Sequence, residues 1–198
     1  MKNEFLETIK IDGSKVYNLE YHQKRYMSVL KSFGVNDTKE LSEYIKPPKD
    51  GLYRCRLIYT PDDIEKINVE YIEYKKRGIK KLKLIYDNDI SYSFKSTDRG
   101  ALNRLYDKRQ DGDDILIVKD NLLTDTSIAN IAFYDGVWKT PKTPLLKGTT
   151  RQRYLDEGKL LEEDIHVGDI KNYSKVALLN AMVDFDIISD NNIKDIFC

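Results

Sequence analysis

The sequence predicts an α+β fold in two lobes, and three observations carry that prediction. A weakly alternating segment, a tight turn and a returning segment open the chain, and an amphipathic helix follows at once. After a Pro47-Pro48 stop comes an alternating strand, Tyr53-Arg54-Cys55-Arg56-Leu57-Ile58-Tyr59. The second half then holds an almost unbroken apolar run, Ile115-Leu116-Ile117-Val118, as a strand buried on both faces requires.

Residues 5–10 read as a strand, Asp12-Gly13 as a hairpin turn, and 15–18 as the returning strand. Residues 19–33 form a helix closed by Gly34, with Tyr26, Val29, Leu30 and Phe33 on one face. A second helix is expected near 38–45, and strands at 51–60, 69–74 and 82–86. A helix is expected over 95–109, a turn at Asp111-Gly112-Asp113-Asp114, and the buried strand at 115–119. Residues 129–134 and 137–140 pair across Asp135-Gly136, 149–161 is a helix, and 175–180 a buried strand. The polar, turn-rich stretch at 87–91 separates a small N-terminal α+β lobe, 1–88, from a larger C-terminal α/β lobe, 89–198.

Composition narrows the function. The 198 residues are 40% hydrophobic, enough for a packed core. Lys plus Arg equals Asp plus Glu at 33 each, so no overall field draws nucleic acid or an anionic membrane. No apolar run nears the roughly 20 residues of a membrane span, and Met1-Lys2-Asn3-Glu4-Phe5 opens no signal peptide, so a cytoplasmic location is expected. Cys55 and Cys198 are too few and too distant for a disulfide framework, and two histidines argue against a zinc site.

Three segments carry chemistry in a fixed order. Lys95 lies in Tyr92-Ser93-Phe94-Lys95-Ser96-Thr97-Asp98-Arg99. Schiff-base chemistry needs an amine that sheds its proton near neutral pH, which desolvation and a neighbouring positive charge favour. Asp125 lies in Leu123-Thr124-Asp125-Thr126-Ser127-Ile128-Ala129-Asn130, and a carboxylate can keep a pyridinium nitrogen protonated. Gly148-Thr149-Thr150-Arg151 opens a helix whose free amides and hydroxyls suit a phosphate. Singly, each has an ordinary reading: a solvated lysine, a turn acid, an N-cap. In this order they answer three demands of one phosphorylated aldehyde cofactor.

On these segments the chain resembles the class IV, fold-type IV pyridoxal-phosphate enzymes. That family comprises branched-chain and D-amino-acid aminotransferases and 4-amino-4-deoxychorismate lyase. Glu7-Thr8-Ile9 with Asp12-Gly13 resembles the opening strand and turn, and His22-Gln23-Lys24-Arg25 the family's His-x-x-Arg. The resemblance implies a two-lobed, D-amino-acid aminotransferase-like fold with a shortened N-terminal lobe, a cofactor-binding C-terminal lobe and a homodimer. It makes Lys95 the catalytic Schiff-base lysine, Arg25, Thr149 and Thr150 phosphate ligands, and Asp125 the acid facing the pyridine nitrogen. Asp125 stands where the family has a glutamate. Leu179-Asn180-Ala181 resembles the last phosphate-side segment, so Asn180 and Ala181 join the cofactor set.

Two features favour lyase over aminotransferase. Arg99, four residues after Lys95, matches a Lys-x-x-x-Arg pattern of aminodeoxychorismate lyase, and the resemblance places it with Arg54 and Arg56 among the substrate-binding residues. Arg54 and Arg56 share one face of a strand and could grip the carboxylates of a dianionic substrate, or else pair with surface acids. The expected reaction is cleavage of 4-amino-4-deoxychorismate to 4-aminobenzoate and pyruvate in folate biosynthesis, with aminodeoxychorismate synthase as a functional partner. An amino-acid aminotransferase and a non-catalytic family member are the alternatives.

Overall fold

A computed structural model describes residues 3–188 together with Ile193 and Phe197. Cys198, weighed above, lies outside the described residues. The chain forms two compact units, Met1–Lys76 with Phe94–Asp98, and Arg77–Ser93 with Arg99–Cys198. The turn-rich stretch at 87–91 lies inside the second unit.

The first unit is an antiparallel sheet with a helix on one face. Its elements are β1 (Phe5–Asp12), β2 (Lys15–Val16), α1 (Leu19–Ser32), α2 (Leu41–Tyr44), β3 (Leu52–Thr60) and β4 (Asp63–Glu73). The strand order is β2-β1-β3-β4. Gly13 and Ser14 both take left-handed backbone (φ 52° and 68°), the geometry that turns β1 into β2 in two residues. The register Glu7↔Leu57 and Ile9↔Cys55 puts these residues on one face of the sheet. Tyr26, Val29 and Leu30 of α1 cover that face, and burial of this apolar cluster drives the unit's folding. Gly34 (φ 79°) ends α1, with Gly34 N–H donating to the Lys31 carbonyl and Val35 N–H to that of Leu30. Phe33 is thus the C-cap and exposed rather than on the buried face; His22 takes the fourth buried place.

Two local expectations are corrected here. β4 starts at Asp63, not 69: Ile64 and Ile67 in its first half are half-buried but stand three residues apart, so no period-two alternation marks the strand there. The helix expected over 95–109 begins only at Gly100. Residues 94–98 instead extend along the free edge of β1: Leu6 N–H donates to the Lys95 carbonyl (2.9 Å), and Thr97 N–H to that of Glu4 (3.0 Å). Ser96 Oγ accepts from Asp98 N–H (3.0 Å), a local bond that competes with helix formation.

The second unit contains β5 (Leu82–Tyr86), α3 (Gly100–Tyr106), β6 (Asp114–Lys119), β7 (Leu122–Thr126), β8 (Asn130–Tyr134), β9 (Trp138–Pro141), α4 (Thr149–Asp156), β10 (Leu161–Glu163), β11 (Lys175–Asn180) and β12 (Asp184–Ile187). They build one sheet in the order β10-β9-β8-β7-β6-β5, with β11 added to β8 and β12 to β11. β6 is buried nearly throughout, as its apolar run predicts. α4 stops at Asp156 rather than 161, because Gly158 (φ 66°) closes it with the same pair of C-terminal hydrogen bonds as Gly34. β7, β10 and β12 were not expected; β7 is the strand that carries Asp125.

Two backbone features aim β7. Asp120 and Asn121 are both left-handed (φ 51° and 63°), so β6 returns as β7 through a two-residue turn. The pairs Leu116↔Thr126 and Val118↔Leu123 then leave one extra residue on β7, a bulge at Thr124–Asp125. Such a bulge redirects the side chains it carries. Among the described residues no helix is long and apolar enough to cross a membrane.

Candidate active site

In the first unit, α1 and β1 bring three polar residues together. His22 and Arg25 are three apart on α1 and share its inward face. Glu7 meets them from β1 and is fully buried. Glu7 Oε1 accepts from Arg25 Nε at 2.8 Å. Glu7 Oε2 accepts from Arg25 Nη2 and from His22 Nδ1, the latter at 2.6 Å. Burial alone would raise the Glu7 carboxyl, but the Arg25 charge and the hydrogen bonds from both partners hold it at about 2. Burial pushes His22 below its ordinary value, with the Arg25 and Lys95 charges adding to that, and the Glu7 contact opposes. His22 is therefore neutral at pH 7 and donates through Nδ1.

Lys95 is half-buried on the extended 94–98 segment, close enough for its charge to reach His22. Arg54 and Arg56 share the sheet face opposite α1, as expected. Arg56 pairs with Glu70 (2.9 Å) on the neighbouring strand, while the buried Nε of Arg54 has no hydrogen-bond partner among the described residues.

In the second unit, Asp125 is the centre of a tight polar cluster. Its Oδ1 accepts from Asn130 Nδ2 (2.7 Å) and its Oδ2 from Leu146 N–H (2.8 Å). Asn130 Nδ2 also donates to the Leu146 carbonyl (2.8 Å). Asn130 thus ties the Asp125 bulge to the segment leading into α4. Gly148 is required in that segment: a Cβ there would stand 2.0 Å from Asn130 Oδ1. Asp125 is 4% exposed and forms no ion pair among the described residues. Burial pushes its carboxyl up to about 6; the Leu146 amide, Asn130 and the Arg151 charge only partly oppose this. Arg151 is itself buried, donating to the Pro141 carbonyl (2.9 Å) and to Glu162 (2.6 Å).

Thr149 and Thr150 form the first turn of α4 and are nearly buried. Gly148, the N-cap, supplies no side-chain cap, so the first amides of α4 are left without a side-chain acceptor at its start. Asn180 Oδ1 accepts from Met182 and Val183 N–H (2.9 and 3.0 Å), and Nδ2 reaches the Ile128 carbonyl (3.4 Å). Ala181 is half-buried in the same turn. Arg99 Nη2 donates to the Ser127 carbonyl (2.7 Å), and its guanidinium lies over the Tyr92 ring. Asp125, Gly148, Thr149, Thr150 and Arg99 thus belong to the second unit, and Arg25, Lys95, Arg54 and Arg56 to the first.

The donor set fits a phosphorylated pyridoxal. The uncapped start of α4 with its hydroxyls suits a phosphate, and a buried acid without an ion-pair partner suits a pyridinium N–H. Sequence reasoning quoted Glu7, His22 and Asn130 within motifs but gave none of them a role. Glu7 and His22 carried a signal: a strand acid at an inward position, and a His three residues before an Arg. Asn130 carried none beyond its place in the Asp125 segment.

Comparison with known proteins now adds a family. The profile of the family described as amino-transferase class IV matches residues 4–189. An uncharacterized protein of Haemophilus influenzae is 36% identical over 183 residues, covering 89% of this chain and 96% of that protein. A crystal structure from Haemophilus somnus 129pt, provisionally named a 4-amino-4-deoxychorismate lyase, superposes with a TM-score of 0.84 at 30% identity, covering 92% of this chain and 97% of that one. The PLP-bound form of a hypothetical aminotransferase from Mycobacterium tuberculosis shares the fold, with a TM-score of 0.75 at 14% identity over 94% of this chain and 80% of that one. By the span of the profile match and the identity to these relatives, the chain belongs to the amino-transferase class IV family.

Proposed function

We propose that the protein is a pyridoxal-phosphate-dependent lyase that converts 4-amino-4-deoxychorismate into 4-aminobenzoate and pyruvate. The observation that carries the cofactor is Asp125, a buried acid with no ion-pair partner among the described residues, joined through Asn130 to the uncapped start of α4. When bound, pyridoxal phosphate supplies an electron sink for a substrate amine. The chain's residues do the rest. Lys95 Nζ holds the cofactor and then takes and returns a proton. Asp125 keeps the ring nitrogen protonated, and Thr149, Thr150 and Arg25 hold the phosphate, with Asn180 and Ala181 closing its side. Arg54 and Arg56 bind the substrate's two carboxylates. Arg99 acts through the Ser127 carbonyl that it holds, fixing the turn that follows Asp125.

The lyase choice draws support from the Lys95–Arg99 spacing and from the 30% identical relative with the provisional lyase name. Under this reading the enzyme is a cytoplasmic homodimer in folate biosynthesis, and it consumes what aminodeoxychorismate synthase makes. The test supplies purified, cofactor-loaded protein with 4-amino-4-deoxychorismate and follows 4-aminobenzoate and pyruvate in equal amounts. Steady amino transfer to 2-oxoglutarate, with no 4-aminobenzoate formed, would make it an aminotransferase instead. Lys95→Ala should abolish the visible absorbance of the loaded protein. Wild type that takes up no pyridoxal phosphate would be a non-catalytic member.

A further inference from the structure

We infer that Glu7 and His22 are positioning residues that hold the Arg25 guanidinium ready for a phosphate. The inference rests on the reading of Arg25 as a phosphate ligand, and it concerns how that arginine is prepared.

Arginine offers five N–H donors in a rigid plane. Glu7 takes two of them, at Nε and Nη2, along one edge. A fork of this kind fixes the direction of the plane and thus of the remaining donors. A single-point contact would leave the long side chain free to swing. His22 then fixes Glu7: its Nδ1 donates to Oε2, the oxygen that already accepts from Arg25 Nη2. The three residues come from the inward side of β1 and one face of α1, so their backbones are set by the core of the first unit. Tyr26 and Tyr59, packed edge to face at 4.8 Å, belong to that core.

Stability alone is a poor reason for this arrangement. A buried ion pair replaced by apolar residues of like volume is often no less stable. Glu7 is wholly buried and His22 nearly so, an expensive way to fill a core that Ile9, Ile11 and Leu30 fill cheaply beside it. The side chain that gains from the arrangement is Arg25, which at 13% exposure keeps some access to solvent. Pre-organising a charged donor before its ligand arrives removes the ordering cost from the binding step. The gain falls on the phosphate alone.

That selectivity is the test. Apoprotein is titrated with pyridoxal phosphate and, separately, with pyridoxal, which lacks the phosphate, following the visible absorbance of each complex. Glu7→Gln should weaken pyridoxal phosphate by roughly tenfold or more, the size of one lost charge-assisted hydrogen bond. Pyridoxal affinity should stay within about twofold, since no lost contact touches it. In an Arg25→Gln background, Glu7→Gln should add no further phosphate-specific loss. His22→Leu should show a milder form of the same selectivity, and His22→Asn, which keeps a donor near the Nδ1 position, should restore it. In cofactor-free wild type the Arg25 Nε–H should exchange slowly with solvent, and quickly in Glu7→Gln. Equal loss for both ligands, or no loss for either, overturns the inference. Should Glu7→Gln fail to fold, the His22 pair decides: equal effects of Leu and Asn, or effects blind to the phosphate, overturn it. Wild type that binds neither ligand would remove the cofactor reading, and this inference with it; wild type that binds both while the variants show no selectivity removes this inference alone.

Discussion

At the scale of single residues, Asn130 is the joint on which the second unit's polar cluster depends. One carboxamide donates to Asp125 and to the Leu146 carbonyl, and its oxygen sits where a side chain at Gly148 would be. Asn130→Ala would leave a buried carboxylate and a carbonyl each short of a donor, so a loss of about 2–3 kcal/mol in urea unfolding is expected. Gly148→Ala should cost at least about 2 kcal/mol, because the Cβ must displace a carboxamide held at two points. A wild-type urea midpoint in Gly148→Ala would mean that the segment moves freely and that Asn130 is no joint. None of this was readable from the chain. Asp125 and Gly148 could be singled out because the chemistry of a cofactor asks for an acid and a helix start. Asn130 bonds across 16 residues of sequence to a main-chain carbonyl, and such a contact leaves no pattern. Arg99 shows the reverse: its spacing from Lys95 was visible, but its partner, the Ser127 carbonyl, was not.

At the scale of elements, the strongly patterned ones were legible and the polar ones were not. β1, α1 and β3 carry apolar residues at the period of their own geometry, β6, β8 and β11 carry nearly continuous apolar runs, and each stands close to where the sequence puts it. β7 was missed because three of its four buried residues are Thr124, Asp125 and Thr126, which read as a capping or turn sequence. The 95–109 helix was overextended because the edge of β1, which takes 94–98 into hydrogen bonds, is a tertiary partner that no local window contains. α4 is the element on which the proposed phosphate site rests. Its start has no side-chain cap, and Thr150 brings a hydroxyl to its first, buried turn. If that start holds a phosphate, Thr150→Val should weaken pyridoxal phosphate about fivefold, one neutral hydrogen bond's worth, and leave pyridoxal unchanged. Thr150→Ser should bind nearly as wild type. Equal affinity of Thr150→Val and wild type for pyridoxal phosphate would take the hydroxyl out of the site.

At the scale of the whole molecule, the two units should answer pH in opposite directions when no cofactor is bound. In the first, Glu7 lies at about 2 in the folded state against an ordinary 4.5, so its contribution is complete above 4.5 and lost as pH falls toward 2. His22 acts in the same sense: its folded value lies below 6.5, so the unfolded chain takes the proton first and stability falls as pH drops below about 6.5. In the second unit, Asp125 lies at about 6 against an ordinary 3.8, so the folded state takes the proton first. Its contribution is present below 3.8 and lost as pH rises through about 6, a change on the order of 3 kcal/mol for two pH units of displacement. Each unit carries its own reporter. Trp138 belongs to the second. Cys55 belongs to the first and is buried, and burial pushes its thiol up to about 12, so it reacts only when the unit opens. With Cys198→Ser as background, urea melts between pH 7 and 3 should show the Trp138 midpoint rising as pH falls while Cys55 labelling begins at lower urea. Asp125→Asn should flatten the first trend and Glu7→Gln the acid end of the second. Two probes that move together across this range, in wild type and both variants, would mean that neither buried acid governs its own unit.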